Sequence, residues 1–231
     1  MSNALPILTD NQTLTAIKLT LRVASLATVS SAVFGISVAW FVAHKRFYGR
    51  GIVDVLCALP LVLPPTVLGY YLIVLLGRRG IIGAWLADMG IQLMFSWQGA
   101  VVAATVVVFP LVYKSAKAAF ESVDHTLEQA ARTLGASELR IFFCISIPLA
   151  WRGIIAGVVL AFARGMGEFG ATLMLAGNIV GQSQTLSLAI YDAFQAGDDA
   201  KATVLVLITS FLCMAVLLLA EYITRPKGAR S

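Results

Sequence analysis

Two opposite charges stand one helical turn apart inside an otherwise uncharged stretch. They are Arg164 and Glu168, in Ala161-Phe162-Ala163-Arg164-Gly165-Met166-Gly167-Glu168-Phe169-Gly170. Ionised side chains inside a membrane span are expensive and mark a pathway or a partner contact by default. An arginine offers a planar fork of donors that suits a tetrahedral anion. A glutamate beside it would keep an empty site from holding that anion too tightly. A structural pair that neutralises itself within or between helices accounts for the same residues. The stretch also holds a literal Gly-x-Gly-x-x-Gly at Gly165, Gly167 and Gly170. It follows no strand and opens no soluble βαβ unit, so dinucleotide binding is rejected. Small residues there, with Gly153 and Gly157, let helices approach closely.

Other chemistry is thin. No Gly-x-x-x-x-Gly-Lys-Ser/Thr run occurs in the chain, so a phosphate cradle for ATP is lacking. Cys57, Cys144 and Cys213 are isolated, which suggests neither a disulfide framework nor a metal site. His44 and His125 sit in polar positions far along the chain from Glu168, without ligand spacing, and read as lone surface histidines. An intramembrane enzyme would need a nucleophile or metal set that is not evident.

The elements that must position the charged pair are membrane spans. The 231 residues are 59% hydrophobic and 13% charged, with mean hydropathy +0.86, whereas a soluble domain carries roughly a quarter charged residues. Val23–Val42, Val55–Gly77, Ile91–Tyr113 and Ala202–Ala220 contain no Asp, Glu, Lys or Arg. Each reaches the ~20 residues that carry a helix across ~30 Å of hydrocarbon. A fifth span is expected from Trp151 to about Ala176, with Arg164 and Glu168 inside it. The runs lack the alternation of barrel strands, which predicts an all-α polytopic membrane protein. A sixth span over Phe169–Tyr191 is disfavoured by Asn178, Gln182, Ser183 and Gln184, and its second half reads as a gate or external loop.

Five spans place the termini on opposite faces, and the positive-inside rule selects the orientation. With the carboxyl end in the cytoplasm, the interior holds Lys45, Arg46, Arg50, Lys114, Lys117, Arg132, Arg140, Arg152, Arg225, Lys227 and Arg230. The exterior holds Lys18, Arg22, Arg78, Arg79 and Lys201. The net charge of +5 follows largely from this anchoring and does not indicate nucleic acid. A cleavable leader is not expected, because the polar start (Ser2, Asn3, Asp10, Asn11) has no basic region ahead of an apolar one.

Two features interrupt the apolar pattern. Pro60, Pro64 and Pro65 fall within six residues of the second span, removing backbone donors and forcing a kink or an unwound segment. Such backbone is tolerated in lipid where protein or a cavity covers it, so these residues either pack a kinked helix or line a pathway. The second feature is a polar island from Glu121 to Arg140. Thr126 and Gln129 match a capping box, Gly135 suits the left-handed position that ends a helix, and Ser137 can cap a second short helix. Two short helices joined at a glycine make a compact knob.

Within the island, Glu128-Gln129-Ala130-Ala131-Arg132-Thr133-Leu134-Gly135 is followed by Ile145-Ser146-Ile147-Pro148. This resembles the loop by which permease subunits of bacterial ABC importers dock onto their ATPases: Glu-Ala-Ala, three residues, Gly, nine residues, Ile-x-Leu-Pro. Gln129 stands in the Glu position with Glu128 just before it, and Ile147 replaces the Leu. The Arg164-to-Ala171 stretch resembles the permeases of the molybdate and sulfate importers. So does Leu59-Pro60-Leu61-Val62-Leu63-Pro64-Pro65, with Gly69-Tyr70 and Gly77-Arg78-Arg79-Gly80 after it. The likeness runs from about Leu19 to Glu221 and is nearest to the molybdate branch; sulfate permeases are typically longer, with an extra amino-terminal span.

The resemblance implies a type I importer permease, a single transmembrane domain over residues 1–231 with a cytoplasmic coupling loop over 118–150, in the cytoplasmic (inner) membrane. It implies a homodimer, a cytoplasmic ATPase dimer that carries the ATP and Mg, and an extracytoplasmic oxyanion-binding protein, with no cofactor or metal on this chain. Glu128, Gln129, Ala130, Ala131, Gly135, Ile145 and Pro148 would couple to the ATPase. Arg164, Glu168, Pro60, Pro64 and Pro65 would lie on the translocation pathway, which works by alternating access. Sulfate or tungstate remain alternative cargoes, and a non-conducting structural subunit is the alternative of another class.

Overall fold

The computed structural model describes residues 10–45 and 47–224. The expectations that rest on Arg46, Arg225, Lys227 and Arg230, and on Ser2 and Asn3, lie outside the described residues. Among the described residues every regular element is helical. The helices are α1 (Asn11–His44), α2 (Arg50–Val62), α3 (Pro65–Leu76), α4 (Ile81–Asp88), α5 (Trp97–Glu121), α6 (His125–Thr133) and α7 (Glu138–Ile141). A π-turn over Phe142–Ser146 leads into α8 (Ile147–Met166), followed by α9 (Gly170–Ala176), α10 (Leu186–Gln195) and α11 (Asp199–Thr224). Four helical stretches are long and apolar enough to cross a membrane, or five when the bent pair α2–α3 is taken as one span. The chain is a polytopic, all-α membrane protein.

The centre is built from small side chains. Ala16, Thr20, Ala24, Ala27, Ser31, Gly35 and Ala39 recur every three or four residues along α1 and are buried. Such a stripe lets a neighbouring backbone come close, the main source of helix association where lipid removes the hydrophobic drive. The neighbour is α5, which runs parallel: Val23 and Ala27 pack on Ala100 and Ala104, and Ala39 and Val42 on Ala116 and Phe120. The Ser31 hydroxyl also donates to the Thr105 carbonyl of α5 at 3.1 Å. Antiparallel α8 closes the third side through its own glycines. A Cβ built on Gly153 would stand 2.7 Å from Ala119 Cβ, and one on Gly157 would collide with Ser115 Cβ. Gly157→Ala is therefore expected to cost about 1–3 kcal/mol of stability by overpacking, read as a lower unfolding midpoint in detergent. Gly51→Ala, with nothing within 4 Å of the added carbon, should leave that midpoint unchanged or slightly raised.

Helix ends differ from the expectation at four places, each for a local reason. α1 begins at Asn11 rather than Val23, because Asp10 caps it (Gln12 N–H to Oδ1, 3.3 Å) and Lys18 and Arg22 lie on its exposed face. Arg22 lies 3.7 Å over the Trp97 ring. α5 starts at Trp97 rather than Ile91, since the Ser96 hydroxyl caps it (Gly99 N–H, 3.2 Å) and Phe95 takes a positive φ of 57°. The knob's first helix is capped by Asp124 (Thr126 N–H, 2.9 Å), not by the Thr126–Gln129 box. The fifth span is Glu138–Met166 rather than Trp151–Ala176: helix runs unbroken from α7 through the π-turn into α8, then stops at Gly167. Pro148 explains the π-turn, because a proline in a helix removes one donor and crowds the carbonyl four residues back. The widened turn, in which Ile147 N–H reaches Phe142 O, relieves that crowding. The sixth span over Phe169–Tyr191 is absent; that segment is α9, an irregular stretch and the first half of α10.

Candidate functional site: a broken-helix centre and a clamped polar knob

The prolines break the second span outright. Pro60 lies inside α2, the chain opens at Leu63-Pro64, and Pro65 starts α3 with its axis bent 114° from α2. Pro60 is half-buried, and Pro64 and Pro65 are exposed. The α8–α9 break lies against this one. A Cβ on Gly170, the first residue of α9, would be 2.8 Å from Pro65 Cβ, and one on Gly69 would be 2.6 Å from Met174 Cβ. Two half-helices thus start side by side and run in the same direction, with Leu68, Leu72, Ala171 and Leu175 packed between them and α5.

The charged pair sits at that break. Arg164 Nη1 is 2.9 Å from Glu168 Oε2, with the arginine side chain 40% exposed and the glutamate 2%. Glu168 Oε1 also accepts the Ala171 N–H at 3.0 Å, so one carboxylate neutralises the cation and caps α9. This is why α8 ends where it does: the carboxylate takes a backbone donor that a continuous helix would have used itself. The Arg164 side chain, 40% exposed, is only partly covered by this contact. Further along, Asp192 accepts from Asn178 Nδ2 and Gln184 Nε2, both at 2.6 Å, and ties the irregular stretch to α10.

The knob at the other end is clamped by one buried carboxylate. Glu128, on α6, is fully buried. Its Oε1 accepts from the Ser146 hydroxyl at 2.6 Å and lies 2.8 Å from His44 Nε2. Ser146 in turn accepts from Trp40 Nε1 at 3.2 Å, and His44 Nδ1 contacts the Trp40 carbonyl at 2.8 Å. The network links α1, α6 and the π-turn, and turns Ser146 inward. Arg132 holds Glu138 with two contacts, 2.8 and 3.2 Å, joining α6 to α7. Gly135 bridges the two helices at φ +79°, a conformation that costs a non-glycine residue roughly 1–2 kcal/mol.

Of the residues expected to couple, Glu128 is part of the clamp, Ile145 (half-buried) and Pro148 (exposed) flank its Ser146 along the chain, Gln129, Ala130 and Gly135 are exposed, and Ala131 is half-buried. The buried acid is Glu128, while Gln129 in the motif's acidic position faces out. His44 is a correction: its side chain is 4% exposed and bonded to Glu128, so it is not a lone surface residue. His125 is exposed but lies 3.8 Å from Glu128 Oε2. Asp54 was passed over altogether. It accepts from Tyr113 at 2.9 Å and Lys117 at 2.8 Å, and with the Arg50–Glu121 pair (2.8 Å) fastens α2 to α5. One usable signal was the spacing of Trp40 and His44, one turn apart at the end of a span.

A helical membrane domain with paired broken helices at its centre and a polar knob clamped to its first span has the make-up of a solute transporter's membrane component. Residues 31–226 match the family described as the binding-protein-dependent transport system inner membrane component. The chain belongs to that family, and it is a transport permease subunit. It is 48% identical to the molybdenum transport system permease protein ModB of Escherichia coli K12, covering 94% of this chain and 95% of that protein. The Haemophilus influenzae ModB is 45% identical over 92% and 93%. The Escherichia coli sulfate transport system permease protein CysT is 36% identical, over 92% of this chain and 76% of its own length. Among solved structures, a bacterial alginate ABC transporter in complex with its pentasaccharide-bound periplasmic protein superposes with TM-score 0.75 at 18% identity, covering 96% of this chain and 81% of that one. The MetNI methionine ABC transporter, captured inward-facing, gives 0.72 at 17% identity, covering 93% and 95%. These distant neighbours share the fold.

Proposed function

We propose that this chain is the permease of an ATP-driven molybdate importer. The observation that carries the reading is the ordering of relatives: 48% identity to a molybdenum permease over nearly the full length of both chains, against 36% to a sulfate permease that is longer. In this reading two copies form the passage, since two-fold symmetry supplies an interface that five spans cannot provide alone. A cytoplasmic ATPase dimer, holding the ATP and Mg, docks on the knobs, and an extracytoplasmic oxyanion-binding protein delivers cargo to the other face. The amino terminus lies outside and the carboxyl terminus in the cytoplasm. Nucleotide closure moves Gln129, Ala130, Ala131 and Gly135, and the paired breaks at Pro64–Pro65 and Gly167–Phe169 open and close around Arg164.

The test is reconstitution with the cognate ATPase and binding protein, followed by ATP-driven uptake of labelled molybdate against excess sulfate. Uptake that resists sulfate supports the reading, and uptake abolished by sulfate moves the cargo to the sulfate branch. Excess unlabelled tungstate in place of sulfate tests the tungstate alternative. Exposed Ala130 is the coupling probe: Ala130→Trp should leave insertion intact and cut uptake per ATP hydrolysed at least tenfold. Normal uptake in that variant would count against ATPase docking at this knob.

A further inference from the structure

Three potential metal donors meet where α6 lies against the end of α1. His44, His125 and Glu128 each bring one ligand atom, and these atoms all lie within 4.8 Å of one another. They line a cavity of about 510 Å³ together with Lys45, Arg50, Glu121, Arg132 and Glu138.

The surroundings orient the donors as ligands. The Trp40 carbonyl can only accept, so His44 Nδ1 carries the proton there (2.8 Å). Nε2 is thereby aimed at Glu128 Oε1, 2.8 Å away. A histidine whose second nitrogen is tied to a backbone carbonyl is the usual outer-shell arrangement of a metal ligand. Nε2 and a carboxylate oxygen at that distance need a proton between them, and a cation can take its place. The Ser146 hydroxyl steadies Oε1 in the same manner at 2.6 Å. Glu128 Oε2 is buried and accepts no hydrogen bond, although His125 Nδ1 is 3.8 Å away and Arg132 Nη2 is 3.9 Å. Arg132 is engaged by Glu138, and Arg50 by Glu121, so the nearest guanidinium groups have partners elsewhere.

From this geometry we propose that His44, His125 and Glu128 bind one divalent transition cation of the zinc class, fastening the knob to the first span. Two imidazoles and a carboxylate suit zinc, with water as the fourth ligand. Ligand atoms at ~2.0–2.1 Å from a tetrahedral ion stand roughly 3.3 Å apart. His125, exposed on the first turn of α6, supplies the small rotation that closes the set. This assignment is independent of which solute the permease carries.

The test titrates Zn²⁺ calorimetrically into the tag-free, chelator-treated full chain in detergent. A Cys144→Ser background removes the thiol that is exposed. The expected result is one ion per chain. Zn²⁺ should also raise the unfolding midpoint. His125→Ala, at a position whose side chain is 57% exposed, should weaken binding at least tenfold and remove the thermal shift while leaving the ion-free midpoint unchanged. Co²⁺ should give the visible absorption of a four-coordinate nitrogen and oxygen site, lost in the same variant. Absence of stoichiometric binding, or equal binding by the His125→Ala chain, overturns the proposal.

Discussion

Glu128→Ala is expected to be the most damaging single change in the knob. The carboxylate is fully buried, and its removal strands both His44 Nε2 and the Ser146 hydroxyl away from water. Leaving a buried donor without its acceptor typically costs about 1–3 kcal/mol, and more when the lost group is charged. A lower unfolding midpoint of the detergent-solubilised chain would read that out. The loss should fall on the join between α6, α1 and the π-turn, so the knob separates from the spans while they stay packed. ATP hydrolysis by the partner ATPase should then continue with uptake lost. Glu128→Gln is the informative companion: its amide oxygen still accepts from Ser146 without the charge, so stability should fall less. A Glu128→Ala chain as stable as the parent would show that the clamp contributes nothing.

The second large effect belongs to the pair at the helix break, and it should be asymmetric. Arg164→Ala leaves Glu168, 2% exposed, as a buried carboxylate without its cation, and about 3–5 kcal/mol is the expected scale. Glu168→Gln keeps an oxygen for the Ala171 N–H and so keeps the cap on α9. It leaves Arg164, 40% exposed, without its counter-charge. A passing anion should then be held longer, giving a lower uptake turnover together with a lower apparent KM. Glu168→Ala removes cap and charge together and should lose both fold stability and transport. Wild-type turnover and KM in Glu168→Gln would make the pair structural only.

Much of this arrangement was legible in the sequence, and the gaps have physical causes. Spans show themselves because hydrocarbon tolerates few charges, and helix breaks because three prolines in six residues cannot continue a ladder. Gly135 and Ser137 also behaved as turn and cap chemistry requires, at φ +79° and with an Arg140 N–H contact of 3.4 Å. Span ends were missed where a single side chain decides them: Asp10, Ser96 and Glu168 each start a helix through one hydrogen bond. The clamp was missed for a different reason. His44 and Glu128 are 84 residues apart, and no local pattern brings them together. The motif's acidic position drew attention to Gln129, yet helix phase turns Glu128 inward.

The unbroken rod from Glu138 to Met166 has a mechanical consequence. One end of it belongs to the knob, and Arg164 stands on its last turn. At 1.5 Å per residue, about 39 Å separate Glu138 from Arg164 along the axis. A pivot of about 10° at the knob end would swing the guanidinium sideways by about 7 Å, more than the width of a tetrahedral oxyanion. The one irregularity between the two ends is the π-turn at Phe142–Ser146 beside Pro148, so a tilt of the knob would reach the charged pair through the rod itself and through that single adjustable turn.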